Sequence, residues 1–243
     1  NLARLAARAP ERLLQVESST ETRAELQLEQ GLVWQRMGDT ESAARILEKA
    51  LQAHFRDDTY DALVGVLEKL GRYDRLAMLL ERALKHMDQP NRRVKIMWQL
   101  AEILGTKLQQ LKPTAQILES IYRESQSQLA LNRLSDVYGD LGDTGSLKSV
   151  YRRQLQADSD EIETDAVRVR LAKLLLETDT DLAECEQLLQ QSMNSPIDHL
   201  ARSEAVDLLS RLYREQHRFA DLTQHLEAHL GEDAEREQVS RSE

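Results

Sequence analysis

His225 and His229 stand four residues apart in the segment HLEAH, the spacing at which one helical turn can bring two imidazoles onto a metal ion. The segment lacks the HExxH arrangement that gives a zinc protease its general base, and beyond the nearby His217 no third ligand is evident. The pair reads as solvated on a helix face, and no metal is expected. Cys185, the one cysteine, lies between Glu184 and Glu186 on LAECEQLLQQ. Two flanking carboxylates disfavour a thiolate, so the reading is a half-exposed, inert helical thiol rather than a nucleophile. A single cysteine also excludes an internal disulfide. Carboxylates are plentiful, but no pair is singled out by an apolar pocket. There is no GxxxxGK[ST], GxGxxG or GxSxG to cradle phosphate or present a serine. These residues predict no catalytic group, no cofactor and no enzyme.

What remains is recognition chemistry carried on helix faces. In the register described below, Asp58, Asp61, Glu68, Asn132, Asp136, Asp207, Arg211 and Arg214 fall at exposed positions of first helices, with Asp140 and Glu204 beside them. The middle of this set is acidic and its C-terminal end carries mixed charge. That predicts a protein partner, a peptide or amphipathic helix of basic character; the competing reading is a set of solvated helix faces. Trp34 falls at a large-residue packing position and reads as core. Trp98 can fall on the groove side, where tryptophan is enriched among hot-spot contacts, and it joins the candidate set.

Composition narrows the classes further. The 243 residues are 41% hydrophobic and 30% charged, the balance of a folded chain, and aromatics are only 4%. Straight-chain helix formers dominate, which predicts an all-α protein. A net charge of −10 argues against nucleic acid as ligand, since phosphate-binding proteins usually carry a basic surplus. No apolar run approaches the roughly 18 residues of a bilayer span, so no membrane insertion is expected. No signal peptide is visible, though the sequence opens at Asn1 and this carries little weight. The lone cysteine suits a reducing compartment, the cytoplasm first, with the periplasm left open.

The elements that would position these residues repeat. GLVWQRMGDTESAARILEKAL from Gly31 and LVGVLEKLGRYDRLAMLLERAL from Leu63 align Gly38 with Gly71, Leu47 with Leu80 and Ala50 with Ala83. LSDVYGDLGDTGSLKSVYRRQL places Gly142 in the same role, and LLSRLYREQHRFADLTQHLEAHL places His217 there. Leu63, Val66, Leu67 and Leu70 form one helical stripe, and Leu76, Leu79, Leu80 and Ala83 the next. Ala43, Ala50, Ala83 and Ala115 would let paired helices approach closely. The glycines sit where a helix ends in a left-handed C′ residue, and Asp39 or Thr40 and Asp143 or Thr144 can cap the helix that follows. Pro90 and Pro196 fall between hairpins, Pro113 in a first helical turn, and Pro10 where it would kink an N-terminal helix. The pattern predicts hairpins at 22–56, 57–90, 91–126, 127–160, 161–197 and 198–230. They are flanked by a helix or cap remnant over 1–20 and a polar tail over 231–243.

Gly31, Trp34, Gly38-Asp39, Ala43, Leu47 and Ala50, then Leu63, Leu67, Gly71, Leu80 and Ala83, then Leu134, Tyr138, Gly142-Asp143 and Tyr151, resemble the tetratricopeptide repeat, a helix-turn-helix of about 34 residues. The third and fifth units fit it less well. The resemblance implies a right-handed α-solenoid of about six antiparallel helical hairpins whose first helices line a concave groove. It implies a non-catalytic interaction scaffold holding a peptide or helix in that groove. A regulatory arm of a larger enzyme or transcription regulator, or a self-associating array, are the alternatives. The lysine-rich carboxylate clamp of some such arrays is not matched, since Asp61, Trp98 and Asn132 hold the corresponding positions.

Overall fold

The computed structural model describes residues 20–157, 161–193 and 199–227, and all regular structure among them is helical. The remnant predicted over 1–20 lies almost wholly outside these residues. So do Pro10, Pro196, His229 and the tail over 231–243.

Contacts divide the chain after Gln126 into two compact units. The first contains α1 (Thr20–Arg36), α2 (Thr40–Ala53), α3 (Asp57–Leu70), α4 (Tyr73–Leu84), α5 (Pro90–Glu102) with a π-helical turn at Ile103–Lys107, and α6 (Leu111–Ser125). The second contains α7 (Gln128–Leu141), α8 (Thr144–Gln156), α9 (Glu161–Glu177), α10 (Leu182–Met193), α11 (His199–Glu215) and α12 (219–227). Within the first unit each helix packs on the next, and from α7 to α11 the same holds in the second. This is an all-α helical repeat of the solenoid kind.

Why the chain turns where it does is visible in its backbone bonds. Gly38, Gly71 and Gly142 have φ of 81°, 64° and 65°. The amide after each reaches back to close the helix: Asp39 N–H to Trp34 O at 3.1 Å, Arg72 to Leu67 at 3.0 Å, Asp143 to Tyr138 at 3.0 Å. The glycine amides bond to Gln35, Glu68 and Gly139, completing a Schellman turn each time. The same pair of bonds recurs around Asp179 and around His217, at φ of 49° and 56°. The fifth unit therefore keeps the turn that its sequence hides. The third does not: α5 runs on through the π turn, and Gln110 N–H bonds to Leu104 O at 2.8 Å before α6 begins. Asp39 and Asp143 cap α2 and α8 by accepting from Ser42 N (3.0 Å) and Ser146 N (3.1 Å).

The apolar stripes meet in two cores. In the first unit Leu47, Leu63, Val66, Leu67, Leu76, Leu80 and Leu100 are buried together, with Trp34 half-buried against them. In the second, Leu171, Leu175, Leu189, Leu209 and Leu212 surround Cys185. Full burial of a leucine stabilises by about 2 kcal/mol, so these stripes dominate the stability of each hairpin. Gly31 is buried facing Leu47, and a Cβ there would stand 2.6 Å from that side chain.

Charged pairs lace the hairpins, within one for Arg56 and Arg93 and between successive ones for Arg72, Arg152 and Arg218. Arg56 meets Glu25 at 2.5 Å, Arg72 meets Glu41 at 2.9 Å, Arg93 meets Glu124 at 3.2 Å, Arg152 meets Glu184 at 2.5 Å, and Arg218 meets Glu186 at 2.6 Å. The two members of each pair lie 31 or 32 residues apart in sequence, about the length of one repeat.

Two expectations are corrected. Cys185 is not half-exposed: it faces the core between α9 and α10, where its thiol donates to Ala172 O at 3.3 Å. Burial, helped by Glu186 and Glu184, pushes the thiol up to about 11. His225 is not solvated: it is buried against Val206 O (3.2 Å) and the edge of Tyr213. The helical stripe of α12 turns it inward, because it takes the place that Leu79 holds in α4.

Candidate partner-binding surfaces

The first-helix positions separate into engaged and open side chains. Asp58 accepts from Arg56 at 2.9 Å and from Thr59 N at 2.7 Å, and the guanidinium holds its carboxyl below the ordinary aspartate range. Asp61 lies 3.8 Å from Arg92, which also pairs with Asp57. Arg211 pairs with Glu215 one turn on, at 2.7 Å. Glu204 reaches back to Lys173 at 3.5 Å. Glu68, Asp136, Asp140, Asp207 and Arg214 are exposed, while Trp98 and Asn132 are half-buried. Part of the acidic face is thus already neutralised by the chain's own arginines.

Asn132 and Asp136 do come together, in a cleft of about 220 Å³ between first helices α7 and α9 with α8 behind them. Gln154 forms its floor and donates from Nε2 to Asn132 Oδ1 at 2.7 Å. Ser135, Thr164 and Arg170 complete the polar lining. A carboxylate and a guanidinium at one mouth, over amides that both donate and accept, suit a polar segment with a peptide backbone. Tyr151 lies within the electrostatic reach of both Asp136 and Arg170, and burial raises its phenol.

Gln154, Thr164 and Arg170 escaped the sequence reading. The signal for Gln154 was there: in register it occupies the column of Ala50 and Ala83, and a buried amide in an alanine column asks for a partner. Thr164 and Arg170 sit in the degenerate fifth unit, where the register was hardest to read. Two further crevices lie on the second-helix side. Leu51, Leu63, Leu67, Met78 and Leu79 line one of about 350 Å³ in the first unit. Met193, Leu209, Tyr213, Gln224 and His225 line its counterpart in the second. Among the described residues no group of three His, Cys, Asp or Glu side chains is placed to hold a metal.

Hairpins of this length, closed by repeated Schellman turns and stacked through alanine and leucine columns, are a tetratricopeptide-like helical repeat fold. No protein-family model and no curated protein matches the chain. Among solved structures, one of Naa15/Naa10 bound to HypK-THB superposes on 93% of this chain with a TM-score of 0.59 at 15% identity; this chain spans 33% of that one. YrrB, described as a TPR protein with an unusual peptide-binding site, covers 82% of this chain and 98% of its own at TM-score 0.41 and 15% identity. A tetratricopeptide repeat protein from Parabacteroides merdae covers 84% and 78% at 0.42 and 16%. Similarity at this level concerns the fold. No described helix is long and apolar enough to cross a membrane.

Proposed function

We propose that this chain is a non-catalytic interaction scaffold that receives a peptide or amphipathic helix along the face of its first helices. The α7–α9 cleft carries the reading, because it pairs adaptable amides with one exposed carboxylate and one exposed guanidinium. Such a site gains from many modest polar contacts spread along a segment rather than from one deep pocket. The acidic first-helix positions favour a partner of basic character, and Asp136 is the open carboxylate nearest the cleft. In the solved structure with a similar fold, Naa15/Naa10 is bound to HypK-THB.

The test is retention of proteins from source-cell lysate on the immobilised chain, against variants Asp136→Lys and Asn132→Ala. Proteins held by the wild type and lost by both variants are the expected result. Retention of the same proteins by all three chains removes the cleft from the mechanism. Asp61 makes a poorer probe, since reversing it also breaks its pairing with Arg92.

A further inference from the structure

Ion pairs cross the gaps between neighbouring first helices inside the units. Arg56, the residue before α3, pairs with Glu25 of α1, and Arg92 of α5 pairs with Asp57 and Asp61 of α3. Lys173 of α9 pairs with Glu204 of α11. The gap between α7 and α9 differs. Asp136 stands on its α7 wall and Arg170 on its α9 wall, and both side chains are exposed. Among the described residues neither has a charged partner, and no ion pair joins the two helices. Both charges nevertheless act on the Tyr151 hydroxyl, so they surround one point of the structure.

The groups between them suit a peptide backbone. Gln154, 5% exposed, forms the floor, and its Nε2 holds Asn132 Oδ1 at 2.7 Å. That contact leaves the N–H groups of the Asn132 amide for a ligand carbonyl. The Ser135 hydroxyl donates to Asn132 O at 2.7 Å, and its lone pairs remain for a ligand N–H. A donor and an acceptor thus lie close together on α7, beside an open carboxylate and across from an open guanidinium. Opposite charges held apart over one cleft select a ligand that carries both.

We propose that the segment received in this cleft carries one basic and one acidic side chain, the basic one on Asp136 and the acidic one on Arg170. The partner then supplies the ion pairs that the chain itself makes across the other gaps. The proposal rests on the scaffold reading above and names what that scaffold selects here, a segment of mixed charge rather than a uniformly basic one. In an extended segment, residues two apart point to one side at a spacing of about 7 Å, so a basic and an acidic residue flanking a third can reach both walls. Which order fits is fixed by the direction of the segment. Reversing both charges of the cleft must then reverse the preferred order.

The test titrates the nitrogen-15-labelled 243-residue chain with three blocked peptides: Ala-Lys-Ala-Glu-Ala, Ala-Glu-Ala-Lys-Ala and Ala-Lys-Ala-Lys-Ala. Binding is read from the side-chain amide signals of Asn132 and Gln154. One mixed peptide is expected to bind about threefold more tightly than the two-lysine peptide and about tenfold more tightly than its reverse. Asp136→Lys or Arg170→Glu should each weaken it about threefold, and the double variant should prefer the reversed order. Both substitutions fall at exposed positions, and circular dichroism checks that each variant folds. Equal affinity for all three peptides, or tightest binding of the two-lysine peptide, overturns the charge selection while leaving the cleft as a peptide seat. An order preference that persists in the double variant overturns it too. If no peptide moves the Asn132 and Gln154 signals, the cleft takes no extended segment, and the scaffold reading of it falls as well.

Discussion

At Gly31 the absent side chain is what lets α1 lie against α2. Alanine would gain about 1 kcal/mol of helix propensity. Its Cβ, however, would stand 2.6 Å from a fully buried Leu47 that has no room to swing away. Overpacking of this kind costs about 1–3 kcal/mol, so Gly31→Ala is expected to lose about 1 kcal/mol net in urea denaturation. Asp179 presents the opposite case, a residue with a Cβ in left-handed backbone. Asp179→Gly should stabilise by about 0.5–1 kcal/mol on the same assay. Cys185 gives a signature in alkali. Burial favours its neutral thiol, so the stabilisation is complete below the unfolded thiol's range and fades as pH rises toward about 11. Between those limits the unfolding midpoint should fall, and Cys185→Ala should remove that component of the slope. None of these three effects was legible from residue type alone. Gly31 and Cys185 acquire their meaning from what lies across the helix interface, and Asp179 from a turn that glycine marks elsewhere.

At the scale of elements, the join between α10 and α12 is the clearest clasp. Arg218 donates to Glu186 at 2.6 and 3.1 Å and to Asp221 at 2.6 Å, with its guanidinium 4.7 Å from the centre of the Tyr213 ring. Tyr213 adds its hydroxyl to Glu186 at 2.9 Å. These bonds, with Arg218 foremost, hold the Glu186 carboxyl below the ordinary glutamate range. The clasp therefore contributes fully above about pH 4.5 and is lost as pH falls through the lowered value. Glu186→Gln should flatten the decline of the urea midpoint between about pH 5 and pH 3. The helices themselves were readable because each stripe has the period of 3.6 and three of the turns carry glycine. The π turn after Glu102 was not, since ILGTK breaks no periodicity and the extra length shows only in the bond from Gln110 back to Leu104.

For the whole molecule, the division after Gln126 gives each unit its own core. In a repeat array, stability is close to a sum of local terms, so fragments 1–126 and 127–243 should each retain helical circular dichroism and a cooperative melt. Loss of helix in both fragments would show that the units need one another. The fold class followed from the repeat itself, because alanine and leucine columns have one economical packing. The candidate surfaces were harder to read. Asp61 turned out to be near Arg92, 31 residues away, which sequence spacing does not reveal, whereas the pairing of Arg211 with Glu215 one turn on was there in the spacing, and the open positions emerged only when burial was compared column by column.

The charged pairs that lace the hairpins have a bearing on how the chain is made. Each of Arg56, Arg72, Arg93, Arg152 and Arg218 finds its carboxylate 31 or 32 residues away. A nascent chain leaving the ribosome thus waits only for about one more repeat before its newest hairpin can dock and close its ionic contact. Synthesis adds roughly 5–20 residues per second, so each docking step would trail its codons by a few seconds. Assembly could then keep pace with translation from one end to the other, with little apolar surface left waiting for a distant partner.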